Sequence, residues 1–233
     1  MSSRCVQGDA TDEKSWRAAL GTEKAQLLFT DPPYCLLTRR RKGGDLRDPK
    51  GKKNEGPEVR RYESVRAYKD FTRGWLEKAV QHLGPSAPLI IWTNLLGRAP
   101  ITEVANALGY ALRGEFIWGK RTRESNSGEE LLRVVETALV FGRGEAGERA
   151  PADPALPWAA VSHPAEHPHP NHKPFEVLEP LLRAWSKPGE LVVDCFAGSG
   201  SVPAAALALG RRAACIELLP DWAERVTQRL DKA

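Results

Sequence analysis

The chain predicts an α/β protein with a mostly parallel, doubly wound sheet, on three observations. Apolar runs of the fully buried kind, among them Leu27-Leu28-Phe29, Leu89-Ile90-Ile91-Trp92 and Leu191-Val192-Val193, alternate along the chain with stripes at helical spacing. One stretch, from Leu191 to Glu217, reads as strand, glycine turn, small-residue helix, strand and terminal acid, which makes a βαβ unit. With 233 residues at 41% hydrophobic content, the chain can bury one substantial core, so a single domain over 1–233 with loop insertions is expected.

Taken in order, Arg4 to Ala10 reads as a short strand ending in a turn. Thr11 or Asp12 then caps a helix through Trp16 and Leu20. The strand over Ala25 to Phe29 follows. From 36 to 66 apolar residues thin out while Gly, Pro, Lys and Arg dominate, which marks a long insertion. Order returns at Tyr68, and Trp75, Leu76, Ala79, Val80 and Leu83 fall at helical spacing before Gly84-Pro85. Pro88 to Asn94 is a buried strand, and Ile101, Val104, Ala105 and Leu108 form a helical stripe ended by Gly109. Tyr110 to Trp118 and Glu136 to Gly142 read as strands, with a polar loop expected over Gly119 to Gly128. The Pro-, Ala- and His-rich segment 143–171 leaves little room for a regular element. Phe175, Val177, Leu178, Leu181, Leu182 and Trp185 then form a helical stripe before the βαβ unit, and Trp222, Val226 and Leu230 a last helix.

Totals exclude several classes. No stretch approaches the roughly 20 apolar residues of a bilayer span, and the first residues lack an apolar signal region, so a cytoplasmic protein without membrane association is expected. Cys5, Cys35, Cys195 and Cys215 form no C-x-x-C pair, which argues against a disulfide framework or zinc ribbon. His163, His167, His169 and His172 cluster, but the interleaved Pro164, Pro168 and Pro170 favour an extended chain that does not converge ligands, so no metal is expected. The net charge of +4 is unevenly spread: Thr38 to Arg66 holds 11 Lys/Arg against 5 Asp/Glu, a local +6, which leaves −2 for the rest. Such a segment suits phosphate contacts with nucleic acid.

Two strand ends carry the chemistry. Thr30-Asp31-Pro32-Pro33-Tyr34 follows a buried strand, at the edge where open α/β sheets bind ligands. By itself this is a strand-ending turn. Two prolines also stiffen the backbone and remove its donors, so a carboxylate and carbonyls could grip an amino group while Tyr34 stacks on the ring bearing it. At the other strand end, the glycines of Ala197-Gly198-Ser199-Gly200 let the backbone approach a ligand, and Glu217 is placed to accept from ribose hydroxyls. Val202-Pro203-Ala204 supplies no third glycine for a pyrophosphate, so S-adenosylmethionine fits this turn better than a nicotinamide dinucleotide.

These motifs together resemble the β-class amino-group DNA methyltransferases. Asp194-Cys195-Phe196-Ala197-Gly198-Ser199-Gly200 is similar to that family's cofactor motif, Asp31-Pro32-Pro33-Tyr34 to its catalytic motif, and His172-Lys173-Pro174 to an element beside the methionine end of the cofactor. Glu136 to Phe141 resembles the strand before its recognition region, and the order of motifs is that of the β arrangement.

The resemblance implies a Rossmann-like, S-adenosylmethionine-dependent methyltransferase fold. It implies methyl transfer to the exocyclic amine of a flipped base in double-stranded DNA, with adenine N6 preferred because Asp precedes Pro-Pro-Tyr, and cytosine N4 the alternative. Asp31, Pro32, Pro33 and Tyr34 would be catalytic. Asp194, Phe196, Ala197, Gly198, Ser199, Gly200, Glu217, His172 and Lys173 would hold the cofactor, with Lys173 against its carboxylate and Trp222 beside its adenine. Arg39, Arg40, Arg41, Lys42, Lys52, Lys53, Arg60, Arg61, Lys120 and Arg121 would contact DNA, with 143–171 as a short recognition segment. A homodimer is allowed. Carbon-5 cytosine chemistry is disfavoured, since Cys35 follows Tyr34 and not a proline. A non-catalytic nucleic-acid-binding protein on the same fold is the alternative from another class.

Overall fold

Strands Leu27–Thr30 (β2) and Leu191–Asp194 (β7) lie side by side and parallel at the centre of the protein, with Leu28 in register with Val193. Both are buried along their whole length, as expected of strands covered on two faces. In sequence order the other elements are β1 (Arg4–Gln7), α1 (Glu13–Leu20), α2 (Val65–Gln81), β3 (Leu89–Thr93), α3 (Leu95–Ala107), β4 (Tyr110–Arg123), β5 (Glu130–Arg143), β6 (Trp158–Ser162), α4 (Phe175–Trp185), α5 (Ser201–Ala208), β8 (Arg212–Glu217) and α6 (Pro220–Leu230). The computed structural model describes residues 3–38, 59–123, 130–143, 158–162 and 172–232.

The described strands form one sheet of order β1-β8-β7-β2-β3-β5-β4-β6. β1, β8, β7, β2 and β3 run parallel, β5 is antiparallel to β3 and β4, and β6 is parallel to β4. Alternate side chains feed two cores. Leu28 and Val193 join Trp16, Trp75, Leu76 and Ile101 from α1, α2 and α3 on one face. Leu27, Phe29 and Val192 join Val177, Leu182, Val202 and Ala206 from α4 and α5 on the other. Full burial of each such Leu, Val or Phe contributes about 1.5–3 kcal/mol, so the β2–β7 pair is firmly anchored in both cores.

Three helix starts follow from short polar residues. The side chains of Asp12, Ser64 and Asn94 accept from the backbone N–H groups of Lys14, Ala67 and Gly97, satisfying donors that the first turn leaves open. Of the two caps expected for α1, Asp12 is the one used. Ser64 also starts α2 at Val65, so the insertion expected over 36–66 gives way to helix two residues before its end. Its segment 39–58 lies outside the described residues.

Two expectations are corrected. Of the loop expected over 119–128, residues 119–123 are strand, because β4 and β5 stay paired as far as Arg123 and Glu130, and 124–128 lie outside the described residues. Cross-strand backbone hydrogen bonds override the polar local composition, which has no bearing on whether a hairpin partner is available. The segment 143–171 does hold a regular element: β6 adds to the far edge of β4, pairing Ile117 with Trp158. Residues 144–157 and 163–171 of that segment lie outside the described residues.

Candidate active site

The connections out of β2 and β7 cover opposite faces: α2 returns to β3 on one side, and α5 to β8 on the other. That divergence opens a crevice at the carboxyl ends of these two strands. The strand ends are tied together, since Thr30 Oγ1 donates to Asp194 Oδ1 at 2.7 Å. The same carboxylate oxygen accepts from the backbone N–H of Phe196 at 3.1 Å. Burial lifts the Asp194 carboxyl to about 7 against these two hydrogen bonds, which act to lower it.

The glycine turn wraps back on β8. Gly198 N–H donates to Glu217 Oε2 at 2.8 Å and Leu219 N–H to Glu217 Oε1 at 2.9 Å, so both oxygens are oriented by backbone while the residue stays on the cavity wall. Gly200 caps α5 with φ +73°, a left-handed conformation, and a Cβ there would lie 3.1 Å from Val226 Cγ2. Glycine is therefore favoured by its φ, and the approach to Val226 leaves little room for a larger residue. His172 supports the turn from behind, its Nδ1 2.9 Å from Ser201 Oγ and 3.2 Å from Ser199 Oγ.

Beside Asp31 lies a buried ionic cluster. The Lys173 ammonium donates to Asp31 Oδ2 and sits 3.1 Å from Glu136 Oε2, while the Tyr34 hydroxyl donates to that same Glu136 oxygen at 2.7 Å. Lys173 is 2% exposed. Burial pushes its ammonium down, but Asp31 and Glu136 more than offset this and leave it above its ordinary value. Burial, with the negative charges of Asp31 and Glu136, raises the Tyr34 hydroxyl well above the usual range. Lys173, expected against a cofactor carboxylate, is thus paired with two protein carboxylates, and Glu136 enters the site as a residue that the motifs did not single out. Its one sequence signal is an acid heading an otherwise apolar strand segment, Glu136-Thr137-Ala138-Leu139-Val140-Phe141.

A cavity of about 800 Å³ joins the two strand ends. Asp31, Pro32, Pro33, Tyr34 and Lys173 line one part of it. Asp194, Phe196, Ala197, Gly198, Ser199 and Glu217 line another, with Trp222 from α6. Gly200 and His172 lie behind this wall. Asp9, two residues past the end of β1, also lines it and was not foreseen. Phe196 is held edge-on to Trp75, with ring centroids 5.3 Å apart.

Of the basic residues expected to meet DNA, Arg60 and Arg61 reach the cavity wall. The Arg60 guanidinium lies 4.4 Å from the Phe71 ring centroid, and Arg61 Nη1 donates to the Leu37 carbonyl at 3.3 Å. Arg39, Arg40, Arg41, Lys42, Lys52 and Lys53 lie outside the described residues, and Lys120 and Arg121 are described as backbone of β4. His163, His167 and His169 also lie outside them. Among the described residues no group of three or more His, Cys, Asp or Glu could hold a metal, and no helix is long and apolar enough to cross a membrane.

A mostly parallel sheet with a cavity across its strand ends, a glycine turn and a buried acid ending the next strand defines an α/β protein of the nucleoside-binding class. The chain belongs to the DNA methylase family of N6/N4 amino-methyltransferases, whose family model matches residues 25–228. A curated relative, YubD of Escherichia coli (strain K12), by its name a presumed methylase, is 28% identical over 98% of this chain and 90% of its own length. The fold is shared with the M1.HpyAVI–SAM complex (TM-score 0.69, 17% identity, 97% of this chain and 98% of that one). It is also shared with the cytosine-N4-specific PvuII DNA methyltransferase (TM-score 0.71, 16% identity, 98% and 86%). A third similar structure is TTHA0409 of Thermus thermophilus, complexed with S-adenosyl-L-methionine (TM-score 0.66, 22% identity, 99% and 93%).

Proposed function

We propose that this protein transfers a methyl group from S-adenosylmethionine to the exocyclic amine of a base flipped out of double-stranded DNA, with adenine N6 as the preferred acceptor. The observation that carries this reading is that the Asp31 carboxylate and the Asp194–Ser199 turn open on one cavity. The donor set suits the cofactor. Glu217 offers carboxylate oxygens to a ribose diol, Phe196 and Trp222 offer apolar walls to a purine, and Ala197 and Gly198 let a ligand approach the backbone.

When bound, S-adenosylmethionine supplies an electrophilic methyl group on a sulfonium. The protein's task is to make an aromatic amine nucleophilic, against delocalisation of its lone pair into the ring. Asp31 and the Pro32 carbonyl accept the amine hydrogens, which localises the lone pair and aims it at the glycine turn, and Asp31 can take the proton that the methylated nitrogen must lose. These acceptors speed transfer to the extent that they bind the charge developing in the transition state more strongly than the ground state. Extrusion of the base costs a few kcal/mol of unstacking, and stacking on Tyr34 returns about 1–3 kcal/mol of it.

The test is transfer of tritiated methyl from S-adenosylmethionine to duplex DNA, followed by nucleoside analysis. The expected product is N6-methyladenine. N4-methylcytosine would move the preference to the sister reaction, and no labelled DNA from folded protein would overturn the reading.

A further inference from the structure

Asp31, Tyr34, Glu136 and Lys173 reach one point from three separate parts of the chain: the turn after β2, the middle of β5 and the residues just before α4. An ammonium at such depth is costly unless it is paired and hydrogen-bonded. Here it is also enclosed by aromatic rings, 5.3 Å from the Trp92 centroid and 5.6 Å from that of Tyr34. We propose that Lys173 and Glu136 are a buried positioning pair for methyl transfer, Lys173 fixing the Asp31 carboxylate as the amine acceptor and Glu136 fixing both that ammonium and the Tyr34 hydroxyl. The inference rests on the methyl-transfer reading above and adds two residues to it.

Geometry gives each partner its task. Lys173 donates to Asp31 Oδ2 and so sets the rotamer from which that carboxylate faces the cavity. Glu136 is 4% exposed and does not line the cavity, so it acts through its neighbours. Its Oε2 accepts from both Lys173 and Tyr34, which locks the ring plane expected to stack on the base to the same frame as the acceptor. Asp31, Glu136 and Lys173 together carry a formal charge of −1, matched to an amine that becomes cationic as it accepts a methyl group. Without Lys173 two carboxylates would repel at close range and Asp31 would swing away. A displacement of about 1 Å in a reacting group can cost about 10²-fold in rate.

The test compares wild type with Lys173→Met, Glu136→Gln and the double variant, each checked for folding by circular dichroism and thermal melting. Two quantities are read: the single-turnover rate of methyl transfer to duplex DNA, and the Kd for S-adenosylmethionine by calorimetry. Lys173→Met should slow transfer about 10²-fold with Kd moved less than about threefold, and Glu136→Gln should slow it about tenfold. The double variant leaves no ionised Glu136 facing Asp31, so it carries the comparison if Lys173→Met alone fails to fold. It should be as slow as Lys173→Met, as expected of residues that act as one unit. Transfer at near wild-type rate in Lys173→Met or in the double variant would overturn the pair. So would an unchanged rate with Kd raised tenfold or more, which would give Lys173 to the cofactor. An inactive wild type overturns the methyl-transfer reading and this inference with it, whereas an active wild type with active variants overturns the inference alone.

Discussion

Two aspartates at adjacent strand ends are placed in opposite ways. Asp31 faces an ammonium, with its side chain 15% exposed on the cavity, whereas Asp194 is fully enclosed and held by one hydroxyl and one backbone N–H. On the proposed mechanism Asp31 accepts from the reacting amine, so replacing it with Ala should lower turnover about 10²-fold or more, with S-adenosylmethionine binding retained. Near-normal turnover would defeat its assignment. Asp194 yields a different prediction, because its carboxyl stands at about 7 in the fold against 3.8 ordinarily. Between those values the folded protein keeps a proton that the unfolded chain has lost, so this group's effect is a loss of stability as pH rises toward 7, levelling above it. From pH 5.5 to 8 the loss should be about 2 kcal/mol. The side-chain amide of an Asp194→Asn variant can still accept from Thr30 and Phe196 through its oxygen and does not titrate, so the variant's urea stability should lack that component. Parallel pH profiles for the two proteins would contradict the assignment. Neither environment is legible in the sequence. Asp194 accepts from Thr30, 164 residues away, and Asp31 is held by Lys173, 142 residues away; each pairing exists only once β2, β7 and the approach to α4 are assembled.

Elements set by local chemistry were the ones that could be read in advance. A strand bounded by turn residues, a helix capped by Asp12 or ended near Gly109, and the turn at Gly198 and Gly200 each carry their cause within a few residues. The long β4–β5 hairpin and β6 do not, since their cause is the backbone of another strand. The glycine turn gives the sharpest test at this scale. Gly200→Ala forces a Cβ into the left-handed region at a cost of about 1–2 kcal/mol, and brings it to 3.1 Å from Val226 Cγ2. Gly189 has a similar φ of +82° with nothing within 4 Å of its Cβ position, so Gly189→Ala reports the conformational cost alone. Gly200→Ala should therefore lower Tm more than Gly189→Ala, and the difference measures the clash. It should also weaken S-adenosylmethionine binding by calorimetry, whereas Gly189→Ala, in the turn before β7, should not. Equal losses in Tm would show that α6 yields without cost at this contact.

At the scale of the whole molecule the positive charge is concentrated in one segment, and on the proposed function that segment holds DNA while the cavity reacts with it. The cavity wall carries Asp9, Asp31, Asp194 and Glu217 beside Lys173, Arg60 and Arg61, while the segment from Thr38 to Arg66 carries +6 and leaves −2 for everything else. The end of that segment lines the cavity at Arg60 and Arg61, and the next residue ties it to the turn after β2: Leu37 bridges Tyr62, and Thr38 N–H donates to the Tyr62 carbonyl at 2.9 Å. Phosphates gripped by this segment would then be delivered beside Asp31 and Tyr34. Each phosphate contact adds roughly 0.9 to the slope of log K against log salt on duplex DNA. Replacing Arg39, Arg40, Arg41 and Lys42 together with Gln should flatten that slope by up to about 3.6 and weaken binding most at low salt. Arg60→Gln alone should flatten it by no more than about 1. If these side chains serve only to hold DNA, as proposed, the single-turnover rate at saturating DNA should stay within about threefold of wild type, while the DNA concentration needed to reach it rises. An unchanged salt slope in the fourfold variant would remove the basic segment from the DNA interface and leave the positive charge without that role.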